Sequence, residues 1–178
     1  MKRVISLVLC LMLVLSLTTV AFADETTQTY TLTINNSAKN HVYEAYQLFA
    51  GELAEKDGKQ ILSNIVWGAA IYNDANNDGK IEGEGEYDYS AALLGAINAE
   101  NGLSALHGAT DAASLAVKLS AVTSDSETLD LFAQVAGNYL GNATGISGNQ
   151  ADGKYTITGL PAGYYLVKDK DGSLHCNA

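Results

Sequence analysis

The 178-residue chain carries 20 acidic against 10 basic residues, a formal net charge of −10, with one proline and two cysteines. So acidic a surface repels nucleic acid and anionic lipid, which removes both from the expected partners. Ten tyrosines against three phenylalanines and one tryptophan supply aromatic bodies with polar tips, which suit half-exposed strands of an extracellular module better than a compact enzyme core.

Residues 1–23 read as an export leader: Lys2-Arg3 precedes the apolar run Val4 to Leu17, and Ala21-Phe22-Ala23 offers small residues for cleavage before Asp24. That run is short for a membrane span of about 20 residues, so no membrane contact is expected beyond the leader. Residues 24–178 then form one domain, with enough chain for a proper core. Cys10 leaves with the leader and Cys176 stands alone, so no intrachain disulfide is expected, and stability rests on the core, a metal or another cross-link.

In the mature part, the alternation of Tyr30, Leu32 and Ile34 with Thr29, Thr31 and Thr33 predicts a half-buried strand over 26–35. His41 to Leu53 predicts a second strand closed by Gly51, and Ile61 to Trp67 a third after the turn Lys56-Asp57-Gly58-Lys59. The middle changes period. Ser90 to Ala99 carries Ala and Leu at helical spacing. Thr110 to Val122 does the same, with Thr110 or Asp111 as cap and Leu115, Leu119 and Val122 on one face. Ser124 to Glu127 reads as a capping box for a helix bearing Leu131, Val135 and Tyr139 and ending at Gly141. Gly141 to Asp152 is a glycine-rich return without period. Asp152 to Gly172 reads as strand, turn and strand: Pro161 fixes φ, Gly163 supplies a positive φ, and Tyr165 and Val167 lie opposite Leu166. The architecture expected is mainly β with an α insertion, a β-sandwich with helices between its strands.

The sharpest local motif is DANNDGKIEGEGE at 74–86. Asp74, Asn76 and Asp78 place oxygen ligands at positions 1, 3 and 5 of a calcium loop, Gly79 takes the turn, Lys80 offers its carbonyl and Glu82 falls at position 9. Gly85 stands where a bidentate carboxylate belongs, and a solvated acidic turn is the other reading. His41, His107 and His175 are scattered, His175-Cys176 point apart in an extended chain, and no nucleophile or zinc-protease motif occurs, so no enzyme is expected.

The stretches TYTLTINN, VYEAYQLFAGEL, LSNIVWG and GKYTITGLPAGYYLVKD together resemble the N-terminal domain of the backbone pilins of sortase-assembled pili in Gram-positive bacteria, the isopeptide-forming fimbrial proteins. The resemblance covers nearly all of 24–178. It implies an immunoglobulin-like β-sandwich with inserted helices, at the base of a shaft subunit in a covalent cell-surface polymer that supports adhesion. Its implied partners are neighbouring subunits, sortase, and a host or matrix ligand. The final strands are also similar to collagen-adhesin B-type modules, in which a Gly-x-Tyr-x-x-x-Glu strand promotes a Lys-to-Asn isopeptide bond. Gly163, Tyr165 and Asp169 occupy those positions, but Tyr30 to Asn35 holds no lysine, so Asp169 is expected as a surface carboxylate and no internal isopeptide bond is expected. The Tyr-Pro-Lys-like motif and the C-terminal Leu-Pro-x-Thr-Gly signal of such pilins do not occur, and the chain reads as a truncated piece lacking its closing strand. A different class remains beside this one, a secreted calcium-dependent module binding carbohydrate or matrix through the Asp74 loop.

Overall fold

The central strand is 14 residues long and has company on every side. A computed structural model describes residues 28–56, 58–123 and 126–170, so the leader, Asp57, Ser124-Asp125 and His175-Cys176 lie outside the described residues. The elements run β1 (Tyr30–Asn35), β2 (Tyr43–Lys56), β3 (Lys59–Trp67), β4 (Tyr72–Asn73), β5 (Tyr87–Asp88), α1 (Ser90–Ala99), a 3₁₀ helix (Asn101–Leu106), α2 (Ala112–Ser120), α3 (Glu127–Ala136), β6 (Gly145–Ile146), β7 (Lys154–Leu160) and β8 (Gly163–Asp169). The protein is mainly β, its strands paired antiparallel, with the helices inserted between β5 and β6.

β2 pairs with β8 along Tyr43 to Ala50, and on its opposite edge with β6 at Glu44 and Ala45 and then with β3 from Phe49 to Lys56. Both faces of this sheet are covered. Tyr46, Leu48 and Phe49 of β2 and Leu166 of β8 enter a large core with Leu93, Ile97, Leu115 and Phe132 of the helices. Tyr43, Ala45, Tyr165 and Val167 face the other way, onto Leu32, Ile157 and Leu160 of β1 and β7. Gly51, expected to close β2, lies inside it: a side chain there would reach within 2.5 Å of the Ser63 carbonyl, and the β2–β3 register slips between Ala50 and Glu52.

The segment read as strand, turn and strand is an arch between two sheets. β7 pairs with β1 and β8 with β2, so the chain crosses from one layer to the other at Pro161-Ala162. The positive φ belongs to Gly159, at 74°, not to Gly163. Gly159 sits in a bulge, because three steps on β7 answer two on β1 between the Tyr30–Leu160 and Leu32–Ile157 pairs, which explains the loosened alternation of Tyr155, Ile157 and Leu160. Gly163 is required for a different reason: a Cβ there would sit 2.4 Å from the Phe49 carbonyl oxygen.

The helical insertion follows the expected order with different ends. Asp111 caps α2, its carboxylate accepting from Ser114 N while the Ser114 hydroxyl accepts from Asp111 N, a reciprocal box. α3 is capped by Ser126, which accepts from Leu129 N, in place of the expected box from Ser124 to Glu127. It ends at Ala136 with Gly137 as its C-cap, not at Gly141, and buries Phe132, Ala133 and Ala136 more deeply than Leu131 and Val135. The 3₁₀ helix buries Leu103 and Leu106, and β6 forms inside the return expected to be irregular. None of the described helices is long and apolar enough to cross a membrane.

One buried polar side chain holds these parts together. Gln47 is 4% exposed; its Nε2 donates to the Ala162 carbonyl (3.0 Å) in the arch, and its Oε1 accepts from Ala69 N (3.3 Å), where the chain leaves β3 for the helices. Its backbone N–H donates to Thr144 Oγ1 (3.1 Å) beside β6. Replacing Gln47 by Leu removes both side-chain hydrogen bonds, and since Ala162 is half-buried and Ala69 exposed, the expected loss is the net worth of the two bonds, about 1–3 kcal/mol. Urea unfolding checks this as a lowered midpoint with an unchanged slope.

Candidate functional site

The acidic loop is pinched at its neck by the two-residue β4–β5 ladder, Tyr72 opposite Asp88 and Asn73 opposite Tyr87. Asp74 Oδ2 accepts from Gly79 N (2.8 Å) and Oδ1 from Asp78 N (3.3 Å), Asn76 Oδ1 also accepts from Asp78 N (2.9 Å), and Asp78 Oδ1 accepts from Lys80 N (2.9 Å). Asn77 and Gly79 hold φ of 55° and 78° at the turn. The Asp74, Asn76 and Asp78 side chains thus bond backbone N–H groups of one turn at Gly79, and Lys80 takes part through its N–H.

Glu82 belongs to a separate turn. Glu86 reaches back to accept from Glu82 N (3.0 Å) and Gly83 N (2.6 Å), a role its place beside the missing position-12 ligand did not suggest. Among the described residues no three His, Cys, Asp or Glu side chains converge at metal-holding spacing. The donor chemistry of Asp74, Asn76 and Asp78 still suits a hard cation, since each carboxylate has about four lone-pair positions and the backbone N–H groups occupy only part of them. The local field is anionic: the Tyr72 hydroxyl is pushed above the ordinary phenol range, first by desolvation and then by the carboxylates of Asp74, Asp88 and Glu86.

Tyr87 anchors this loop to the body. Its ring stacks on Tyr89 with centroids 5.1 Å apart, and its hydroxyl donates to the Ala69 carbonyl (2.6 Å) and accepts from Asn142 N (2.9 Å). Gly141 lies against that ring, where any Cβ would meet Tyr87 Cζ at 2.0 Å. Close approach, not helix termination, is what this glycine provides.

A second cluster closes the far end of the sheets. His41 Nδ1 meets Asp169 Oδ2 at 2.5 Å, joining residues that no sequence spacing connects. The His41 ring stacks on Tyr43 (5.9 Å, 12°), and Tyr43 meets Tyr155 edge-on (5.1 Å, 70°). The Tyr155 hydroxyl donates to the Ala38 carbonyl (2.7 Å) and accepts from His41 N (3.2 Å), and Asn36 Nδ2 donates to the Tyr43 hydroxyl (2.7 Å). Asp169 is therefore not a plain surface carboxylate: its side chain is 19% exposed and engaged with His41, itself 21% exposed. The cluster binds the connection between β1 and β2 across the ends of both layers. Farther along β2, Tyr46 donates to Glu44 Oε2 (2.8 Å), and burial, reinforced by that carboxylate, pushes its hydroxyl up to about 12.

An open cleft of about 450 Å³ lies where β8 stops and β2 continues, lined by Tyr30, Ala50, Leu53, Pro161 and Ala162, with Glu52 as its one charged group. Gln28 and Gln47 add amide groups to its lining. His107, the remaining described histidine, contacts the Glu100 carbonyl (3.0 Å) around the 3₁₀ helix. No protein-family model, curated protein or solved structure matches this chain.

Asp169→Ala is expected to cost about 1–2 kcal/mol, the range for a hydrogen bond to a charged group discounted for its partial exposure. A free surface carboxylate would change stability by less than about 0.5 kcal/mol. Thermal unfolding distinguishes the two, and faster amide exchange at Asn36 and His41 in the variant would locate the loosened connection.

Proposed function

We propose that this chain is a structural domain of the backbone-pilin kind: an exported module at the cell surface or in the cell wall, contributing a rigid, immunoglobulin-like unit to a sortase-joined fibre that supports adhesion. The observation that carries this reading is the pairing of β2 with β8. The two stretches most like those pilins, YEAYQLFAG and LPAGYYLVKD, meet each other in register from Tyr43–Asp169 to Ala50–Gly163 and form the doubly covered centre of the fold. The helical insertion between β5 and β6, and the separate layer of β1 and β7, suit the same architecture.

Within this reading the acid-bearing strand has taken a different role. Asp169, at the position of the isopeptide-promoting carboxylate, is engaged with a histidine. Lys168 lies over the Tyr46 ring (5.7 Å), and Lys170 pairs with Glu44 (3.5 Å). An internal Lys-to-Asn bond would release one ammonia. The intact mass of the protein is expected to equal that of its processed sequence, and a deficit of one ammonia would overturn the assignment of Asp169 to a noncovalent clamp.

The second reading is calcium-dependent binding, favoured by the oxygen-bearing side chains of Asp74, Asn76 and Asp78 lying along one turn. Titration calorimetry with calcium separates the two. Heat saturating at one ion per chain, lost in Asp74→Asn, supports the binding module; no heat at about 1 mM calcium, the weak end of extracellular sites, leaves the shaft domain standing alone.

A further inference from the structure

Among the described strands of six residues or more, β1, β3, β7 and β8 each have an outer edge, and the four edges are unequal. The outer side of β7 is met by Gly148, whose N–H donates to the Thr156 carbonyl (3.3 Å), and β3 is flanked by α2. β8 bears Lys168 and Asp169, with Lys170 following. Among the described residues β1 pairs only with β7, and the stretch from Gln28 to Ala38 carries neither charge nor proline. Charges and prolines are the usual guards of an edge strand. On a chain of net charge −10, this stretch is where a second copy can approach without setting like charges opposite each other.

The backbone of β1 is presented for such contact. Asn36 N donates to the Gly153 carbonyl (3.0 Å), and the register continues Ile34–Tyr155 and Leu32–Ile157, so the even-numbered N–H groups turn toward β7. Those of Thr33 and Asn35 point away from it, by the alternation of an antiparallel ladder. The β1–β7 sheet has two strands, a size that is marginal by itself and gains from further pairing.

We propose that two copies of this chain associate through their β1 strands, antiparallel about a two-fold axis, with Thr33 opposite Thr33 of the second copy and Thr31 opposite Asn35. The two small sheets become one of four strands. Being self-complementary, the contact closes at the dimer.

The test is sedimentation equilibrium of the protein as its host processes it, up to about 0.5 mM, a range that detects weak association. A concentration-dependent dimer is expected. Thr33→Lys, which sets two cations face to face, should weaken it by at least about tenfold, whereas Thr33→Val should retain it. Should Thr33→Lys fail to fold, judged by circular dichroism, Thr31→Lys at an exposed position of the same strand gives the same reading. A monomer throughout, a dimer indifferent to the lysine, or growth beyond two copies would each overturn the proposal. So would a monomer whose Thr33 amide exchanges slowly, since the edge would then already be occupied within one chain.

Discussion

Everything in this fold depends on β2 being fixed in register. It is paired along both edges and packed on both faces, so a slip by one residue would exchange its two faces, sending Tyr46 and Leu48 toward β1 and β7 and Tyr43 and Ala45 into the helices. Hydrophobic packing alone discriminates weakly against that slip, since both cores accept apolar side chains. The Gln47 amide discriminates strongly. It finds a donor at Ala69 and an acceptor at Ala162 only in the observed register, and in the helical core it would be a buried amide without partners. The bulge at Leu48 then brings Phe49 back to the helix side, where its ring lies 5.7 Å from Trp67 and 6.1 Å from Tyr164.

The local elements were legible because their signals are local. The Tyr30, Leu32, Ile34 alternation, the helical spacing of Ser90 to Ala99 and the Asp111 cap each lie within one element and reappear in it. The arch was misread for the same reason. A Pro-Ala-Gly between two apolar runs says that the chain turns there; it carries no information about which neighbour each strand will choose. β7 and β8 reject each other because Tyr155 and Ile157 are needed against β1 while Leu166 and Val167 are buried on opposite faces beside β2. Helix ends erred toward whichever capping residue stood nearby, Ser124 for Ser126 and Gly141 for Gly137.

The two polar clusters show the same division. Asp74, Asn76, Asp78 and Gly79 act on backbone groups within five residues, and their grouping is visible in the spelling of the loop. His41 and Asp169 are 128 residues apart and meet only after β2 and β8 have paired from Tyr43–Asp169 onward. No motif could have joined them. The one available signal was the register of two strands far apart in the chain.

The polar chemistry also bears on how the layers are held together. Outside the acidic loop, the named polar groups bond to other parts of the chain. Gln47 clamps the arch, His41 and Asp169 hold each other, the Tyr87, Tyr155 and Tyr165 hydroxyls bind carbonyls, and Glu86 closes its own turn. Among the described residues no buried side-chain nitrogen or oxygen lacks a partner. These bonds link separate layers: the arch to β2, the β1–β2 connection to β7 and β8, the acidic loop to the segment before β6. Such cross-layer ties matter because packing forces between layers are non-directional and resist sliding poorly. Directional bonds placed at the seams are what convert two stacked sheets and a helical layer into a unit that moves as one.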